Sequence, residues 1–198
     1  MDKSLIKPLP FNAPMLLTWG RIAMIPLVVG IFYLPDAWLA PHAKNLVACV
    51  LFVLAALTDA LDGYLARRFH MTTPMGAFLD PVADKLMVSA ALVALLALDR
   101  IDMFVALVII GREITVSALR EWMAQLGASG RVKVNALGKI KTIAQMVAIP
   151  LLLYHDPLFG GAIDVAWLGT VLIYVAAVLT VYSMLVYLKA ARPYLSSE

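Results

Sequence analysis

Residues 44–98 read KNLVACVLFVLAALTDALDGYLARRFHMTTPMGAFLDPVADKLMVSAALVALLAL. One apolar run leads in, four aspartates and a basic turn interrupt it, and a second apolar run leads out. Counted with the aspartates at their facing ends, the segments 44–66 and 76–98 each exceed the roughly 20 residues that an α-helix needs to cross a bilayer. Two such segments back to back, with their charge gathered toward the turn between them, describe two membrane helices joined by a short polar turn.

Four further apolar segments flank this pair, near 12–34, 102–122, 140–155 and 164–188. Pro35, Asp36, Pro41 and His42 mark one break, Asp99, Arg100 and Asp102 a second, and Asp156, Pro157, Gly160 and Gly161 a third. The expected fold is all-α: a polytopic membrane protein with six transmembrane helices, forming a single domain over 1–198. Composition agrees. The chain has 198 residues, 63% hydrophobic and 15% charged, with mean hydropathy +0.89. Soluble domains sit near roughly 45–50% apolar with about 25% charged. The excess excludes disorder, a collagen-like fibre and a disulfide scaffold, and six spans leave no room for a separate soluble domain. Cys49 has no bridging partner and reads as a small packing residue. The first segment reads as retained, since no small-residue cleavage site follows it and five further spans do.

Net charge is only +3, so placement carries the information. Six spans put the N-terminus, the 2–3 loop, the 4–5 loop and the C-terminus on one side. There lie Lys3, Lys7, Arg67, Arg68, Arg120, Arg131, Lys133, Lys139, Lys141, Lys189 and Arg192, against Lys44 and Arg100 opposite. The positive-inside rule then places both termini in the cytoplasm. Trp19, Trp38, Trp122 and Trp167 fall near span ends and read as interfacial anchors. A greasy soluble bundle would need neither six consecutive runs nor this alternation of charge.

Charges inside spans are costly and mark functional cavities. Asp59 and Asp62 are three residues apart, Asp80 and Asp84 four, so each pair lies on one helix face. Antiparallel helices would bring all four carboxylates together just inside the cytoplasmic interface. Four ionised carboxylates repel one another and lose hydration, so protons or cations must neutralise them. Hard oxygen donors suit Mg²⁺, Mn²⁺ or Ca²⁺, and no His or Cys stands nearby at zinc-ligand spacing; His70 reads as solvent-facing. Two divalent ions on Asp59, Asp62, Asp80 and Asp84 would leave room for phosphate oxygens. The alternative is a buried ion-pair cluster, for which the local cations Arg67 and Lys85 are too few. Gly63 and Gly76 permit close approach to the backbone, and Arg67 offers a fork suited to phosphate.

The run Asp59-Ala-Leu-Asp62-Gly63-Tyr-Leu-Ala66-Arg67, with Gly76, Asp80 and Asp84 beyond it, matches the signature of the CDP-alcohol phosphotransferase family at every fixed position. The chain resembles that family over nearly its whole length. The stretches FNAPMLLTWGR (11–21), GREITVSALREW (111–122) and GKIKTIAQ (138–145) are similar to members whose acceptor is sn-glycerol 3-phosphate.

The resemblance implies attack of an alcohol on the diphosphate of CDP-diacylglycerol, with release of CMP. It implies Mg²⁺ or Mn²⁺, two ions, held by Asp59, Asp62 and Asp80, with Asp84 as the base and a further ligand. Gly63, Ala66, Arg67 and Gly76, with Asn12 and Thr18, resemble the pocket for CDP-diacylglycerol. Asn12 and Thr18 read equally as helix-capping residues, and Arg21 either serves the same pocket or snorkels. An acceptor bearing phosphate requires a second cationic pocket. Arg112, Arg120, Lys139 and Lys141 are its candidates, backed by Ser117, Thr142 and Gln145. Arg112 lies deep in a span and has Glu113 as an alternative partner, whereas Lys139 and Lys141 sit near the interface, closer to water. Arg131 and Lys133 suit anionic lipid headgroups. The resemblance further implies a homodimer in a bacterial cytoplasmic (inner) membrane, with its active site facing the cytoplasm. Two other readings compete: a relative with another acceptor alcohol, and a divalent-cation transporter, which would want its carboxylates near the midplane.

Overall fold

The computed structural model describes residues 13–69, 74–127 and 136–195. They form six α-helices: α1 (Ala13–Gly30), α2 (Pro41–Phe69), α3 (Pro74–Ala97), α4 (Met103–Gln125), α5 (Ala136–Tyr154) and α6 (Val165–Leu195). Short 3₁₀ turns at Ile31–Tyr33 and Phe159–Gly161 follow α1 and α5. Among the described residues there is no strand, only one isolated bridge between Leu158 and Ile163.

Local chemistry sets the ends. Pro41 and Pro74 open α2 and α3, where a missing N–H costs nothing. Asp102 caps α4 by accepting from the Phe104 amide at 2.7 Å, and Asp164 accepts from the Trp167 amide at 2.9 Å as α6 begins. The exposed carbonyls at the end of α5 are met by Arg100, which donates to Leu152 O at 3.0 Å and Leu153 O at 2.7 Å. Arg100 also donates to Asn45 Oδ1 at 2.6 Å, and His42 pairs with Asp156 at 2.7 Å. These contacts latch the loops at the end of the bundle away from the acidic motif. Burial lowers the pKa of Arg100 there.

Three helical stretches are long and apolar enough to cross a membrane: Met15–Tyr33, Pro41–Leu61 and Val165–Lys189. The chain is therefore built as a membrane protein, with six helices where six spans were expected. The other three are less apolar for an identifiable reason. α3 carries Asp80, Asp84 and Lys85, α4 carries Arg112, Glu113, Arg120 and Glu121, and the apolar part of α5 is the shorter Ile140–Tyr154. Most of the charges that dilute these helices, Glu121 apart, gather at the site below.

α5 runs along α6, and α4 packs on α6. α5 and α6 approach closely at Gly169, where a Cβ would stand 2.8 Å from Leu152 Cγ and 3.2 Å from Leu151 Cβ. α1 lies against both α2 and α3, which touch each other far less. That departs from the simple hairpin expected for α2 and α3: the first helix is wedged into it. The core is apolar, with Val28, Phe52, Leu92, Leu95, Ile109, Ile149, Leu152 and Ile173 all essentially inaccessible. Met87 is buried and Cys49 packs on this core, both as small-scale filling. Leu, Val and Trp side chains, Trp38 and Trp167 among them, cover much of the outer surface, as a lipid-facing bundle requires.

Candidate active site

The acidic motif is assembled by three helices. Asp59 of α2 and Asp84 of α3 line one narrow cavity with Arg21 of α1. Arg21 is 1% exposed, and its Nη1 lies 2.5 Å from Asp59 Oδ1. It therefore does not snorkel. One turn earlier on the same face, the buried Thr18 hydroxyl donates to Asp80 Oδ1 at 2.7 Å. So α1 reaches both arms of the motif, and Thr18 acts as a side-chain donor between helices rather than as a cap. Gly63 lies in the last third of α2 and Gly76 in the first turn of α3. Asn12 lies outside the described residues, as do the side chains of Asp62, Ala66, Arg67 and Lys139.

The donor set fits a hard divalent ion. Asp59, Asp80 and Asp84 offer only carboxylate oxygen, and the pairing of Asp59 with a buried guanidinium shows that this pocket binds positive charge. Among the described residues no three acidic or imidazole groups cluster as a metal site.

Beyond Asp84 opens a second cavity of about 530 Å³. Asp84 and Lys85 of α3, Arg112, Glu113 and Arg120 of α4, Lys141, Thr142 and Gln145 of α5, and Tyr187 of α6 line it. Five of the seven residues expected to bind the acceptor thus face one space, together with the expected base. Ser117 does not join them: its hydroxyl donates back to the Glu113 carbonyl at 2.7 Å.

The polar contacts of this cavity centre on Glu113. Arg112 Nη1 donates to Glu113 Oε1 at 2.8 Å, and Lys141 Nζ donates to the same oxygen at 2.6 Å. Arg112 Nη2 reaches Ser183 Oγ at 3.3 Å, while Arg120 Nη2 donates to the Tyr187 hydroxyl at 2.6 Å. Arg112 is 8% exposed, Lys141 2% and Gln145 4%. The expectation that Lys141 sits closer to water than Arg112 is corrected here, because α5 turns that side chain into the bundle. Arg112 Nε and Gln145 Oε1 are buried without a hydrogen-bond partner among the described residues. Two buried cations, Arg112 and Lys141, with Arg120 and Lys85 at the more open side and Glu113 and Asp84 facing them, form a cation-rich pocket that suits a small anion.

Sequence reasoning missed Glu113 as a bridge, Arg21 as the partner of Asp59, and the α6 residues Ser183 and Tyr187. The latter two are four apart on one face, but an apolar span offers no local sign of which partner that face meets.

The model of the family described as CDP-alcohol phosphatidyltransferase matches residues 11–182. Enzymes named CDP-diacylglycerol–glycerol-3-phosphate 3-phosphatidyltransferase are similar throughout. Those of Salmonella choleraesuis (strain SC-B67), Shigella flexneri and Escherichia coli (strain K12) are each 49% identical over 185 residues, covering 92% of this chain and 96% of theirs.

Proposed function

The chain belongs to the CDP-alcohol phosphatidyltransferase family, and from that premise we propose that it transfers a phosphatidyl group from CDP-diacylglycerol to sn-glycerol 3-phosphate, giving phosphatidylglycerophosphate and CMP. The observation that carries this reading is the position of Asp84, which lines both the cavity of the acidic motif and the cationic cavity beside it. A base at that junction can meet a donor on one side and a phosphorylated acceptor on the other.

In this reading the diphosphate and cytidine of the donor lie with Thr18, Gly63, Ala66, Arg67, Gly76 and Asn12, and the acceptor phosphate lies on Arg112, Arg120 and Lys141. That arrangement points an acceptor hydroxyl toward Asp84. Its oxygen forms a bond to the phosphatidyl phosphorus, the bond from that phosphorus to the CMP oxygen breaks, and the hydroxyl proton passes to Asp84. Positioning and charge neutralisation supply most of the catalysis in such transfers. Asp59, Asp62, Asp80 and Asp84 would hold Mg²⁺ or Mn²⁺, two ions. When bound, the metal neutralises charge on the diphosphate and on the departing CMP. Membrane placement follows the same reading: six spans, both termini and the site at the cytoplasmic face of a bacterial inner membrane, on the strength of the basic-residue asymmetry. A homodimer among membrane lipids is part of it, resting on the family resemblance.

The test is an assay of purified protein with CDP-diacylglycerol and radiolabelled glycerol 3-phosphate, following CMP and lipid product. Inositol phosphate and phosphatidylglycerol run beside it as alternative acceptors. Product with glycerol 3-phosphate well above the others is expected. Preference for another acceptor would overturn the assignment.

A further inference from the structure

One carboxylate oxygen holds two buried cations from two helices. Glu113 Oε1 accepts from Arg112 of α4 at 2.8 Å and from Lys141 of α5 at 2.6 Å. Both cations are almost wholly out of water, at 8% and 2% exposure. A phosphate oxygen would bind the same guanidinium and ammonium in the same way, so Glu113 stands where part of an acceptor would act. Two anions cannot both draw fully on these donors, and at this spacing in a desolvated pocket they repel.

We propose that Glu113 is an internal counter-ion of the acceptor pocket, a specificity-determining carboxylate that competes with the acceptor's phosphate for Arg112 and Lys141 and so admits acceptors carrying a phosphate dianion. This rests on the reading that the cavity takes the acceptor phosphate. A neutral alcohol brings nothing to replace Glu113 on its cations, and a monoanion brings no more charge than Glu113 already has. A dianion brings more charge and further acceptor oxygens. The cavity also holds groups ready for an occupant: Arg112 Nε can donate to a second phosphate oxygen, and Gln145 Oε1 can accept from an acceptor hydroxyl. Selection against neutral acceptors thus comes from the state of the empty pocket as much as from contacts in the filled one.

The experiment measures inorganic phosphate as a competitor of glycerol 3-phosphate in the full-length wild-type enzyme, in Glu113→Gln and in Glu113→Asp. Removing the carboxylate charge should tighten phosphate about tenfold and lower the KM for glycerol 3-phosphate in the same direction. Glu113→Asp keeps the charge and should hold the wild-type phosphate constant within about threefold. A purely structural role for Glu113 predicts the opposite sign, weaker phosphate and a higher KM in Glu113→Gln, and that result or no change overturns the proposal. Wild-type enzyme supplies a second test should Glu113→Gln fail to fold. Dimethyl phosphate, a monoanion, should compete at least about tenfold more weakly than inorganic phosphate, and equal competition by the two overturns the proposal. If wild-type enzyme makes no product from glycerol 3-phosphate, the functional reading itself has failed, an outcome separate from these.

Discussion

Lys141→Gln tests the cationic cavity where sequence and structure disagree most. The ammonium is 2% exposed and donates to Glu113 Oε1 at 2.6 Å, so neither water nor salt screens it appreciably. A charge-assisted hydrogen bond to such a group is worth about 1.5–3 kcal/mol. Losing it with bound phosphate should therefore raise the KM for glycerol 3-phosphate about ten- to a hundredfold. A second effect adds in the same direction: with Lys141 gone, Glu113 draws more strongly on Arg112, which is then less available to the acceptor. Folding should suffer less than the roughly 3–5 kcal/mol of an orphaned buried charge, because Glu113 keeps Arg112 at 2.8 Å. The constants for CDP-diacylglycerol should hold, since the site proposed for that substrate lies on the other side of Asp84. Initial rates of CMP release, with each substrate varied at saturating levels of the other, separate the two constants. Arg112→Gln, 8% exposed and also bonded to Ser183, should have an effect of similar size. A Lys141→Gln enzyme with an unchanged acceptor KM, or with its defect confined to CDP-diacylglycerol, would refute the assignment of this cavity.

Three further outcomes are expected. A chelator should abolish CMP release and Mg²⁺ or Mn²⁺ should restore it; full turnover in metal-free buffer would remove the metal from the mechanism. Asp84→Asn should lower single-turnover chemistry by about 10²–10⁴-fold while CDP-diacylglycerol affinity, measured by binding, stays near wild type; lost affinity with intact chemistry would make Asp84 a binding residue. Gly169→Ala puts a methyl 2.8 Å from Leu152 Cγ across the α5–α6 contact, and overpacking there should cost about 1–3 kcal/mol. A lower melting temperature in detergent is the readout, and an unchanged one would show that the Leu152 side chain yields without cost.

What the sequence disclosed follows from what a helix repeats. Spacings of three and four residues place side chains on one face, and they made the pairs Asp59/Asp62 and Asp80/Asp84 legible before any fold was known. The cost of charge in an apolar run made Arg112 conspicuous in the same way. Neither rule says which helix that face meets. Arg21 stands 38 positions before Asp59 (59 − 21), and Thr18 and Asp80 are 62 apart. No local pattern encodes those contacts, because they exist only once α1 has wedged between α2 and α3. The same charges bear on hydropathy. α3 and α4 fall short of a membrane-crossing profile because they carry charges, Asp84, Lys85, Arg112, Glu113 and Arg120 among them, that line the cavity.

Lys139 and Lys141 show how far the local rules reach when pressed. Residues two apart on an α-helix point about 200° away from each other and do not share a face. The pattern of α5 therefore favours one position of the pair over the other as inward-facing. Periodicity settles which: Lys141 continues through Ala144, Gln145, Ala148, Ile149 and Leu152, all buried, at steps of three and four. That stripe was present in the sequence. Read as the inward face of α5, it carries Lys141 and Gln145 into the core together, and a buried lysine one turn from a buried glutamine calls for an anion to meet them. Glu113 meets the lysine from α4, and an acceptor's phosphate would have to contend with it there.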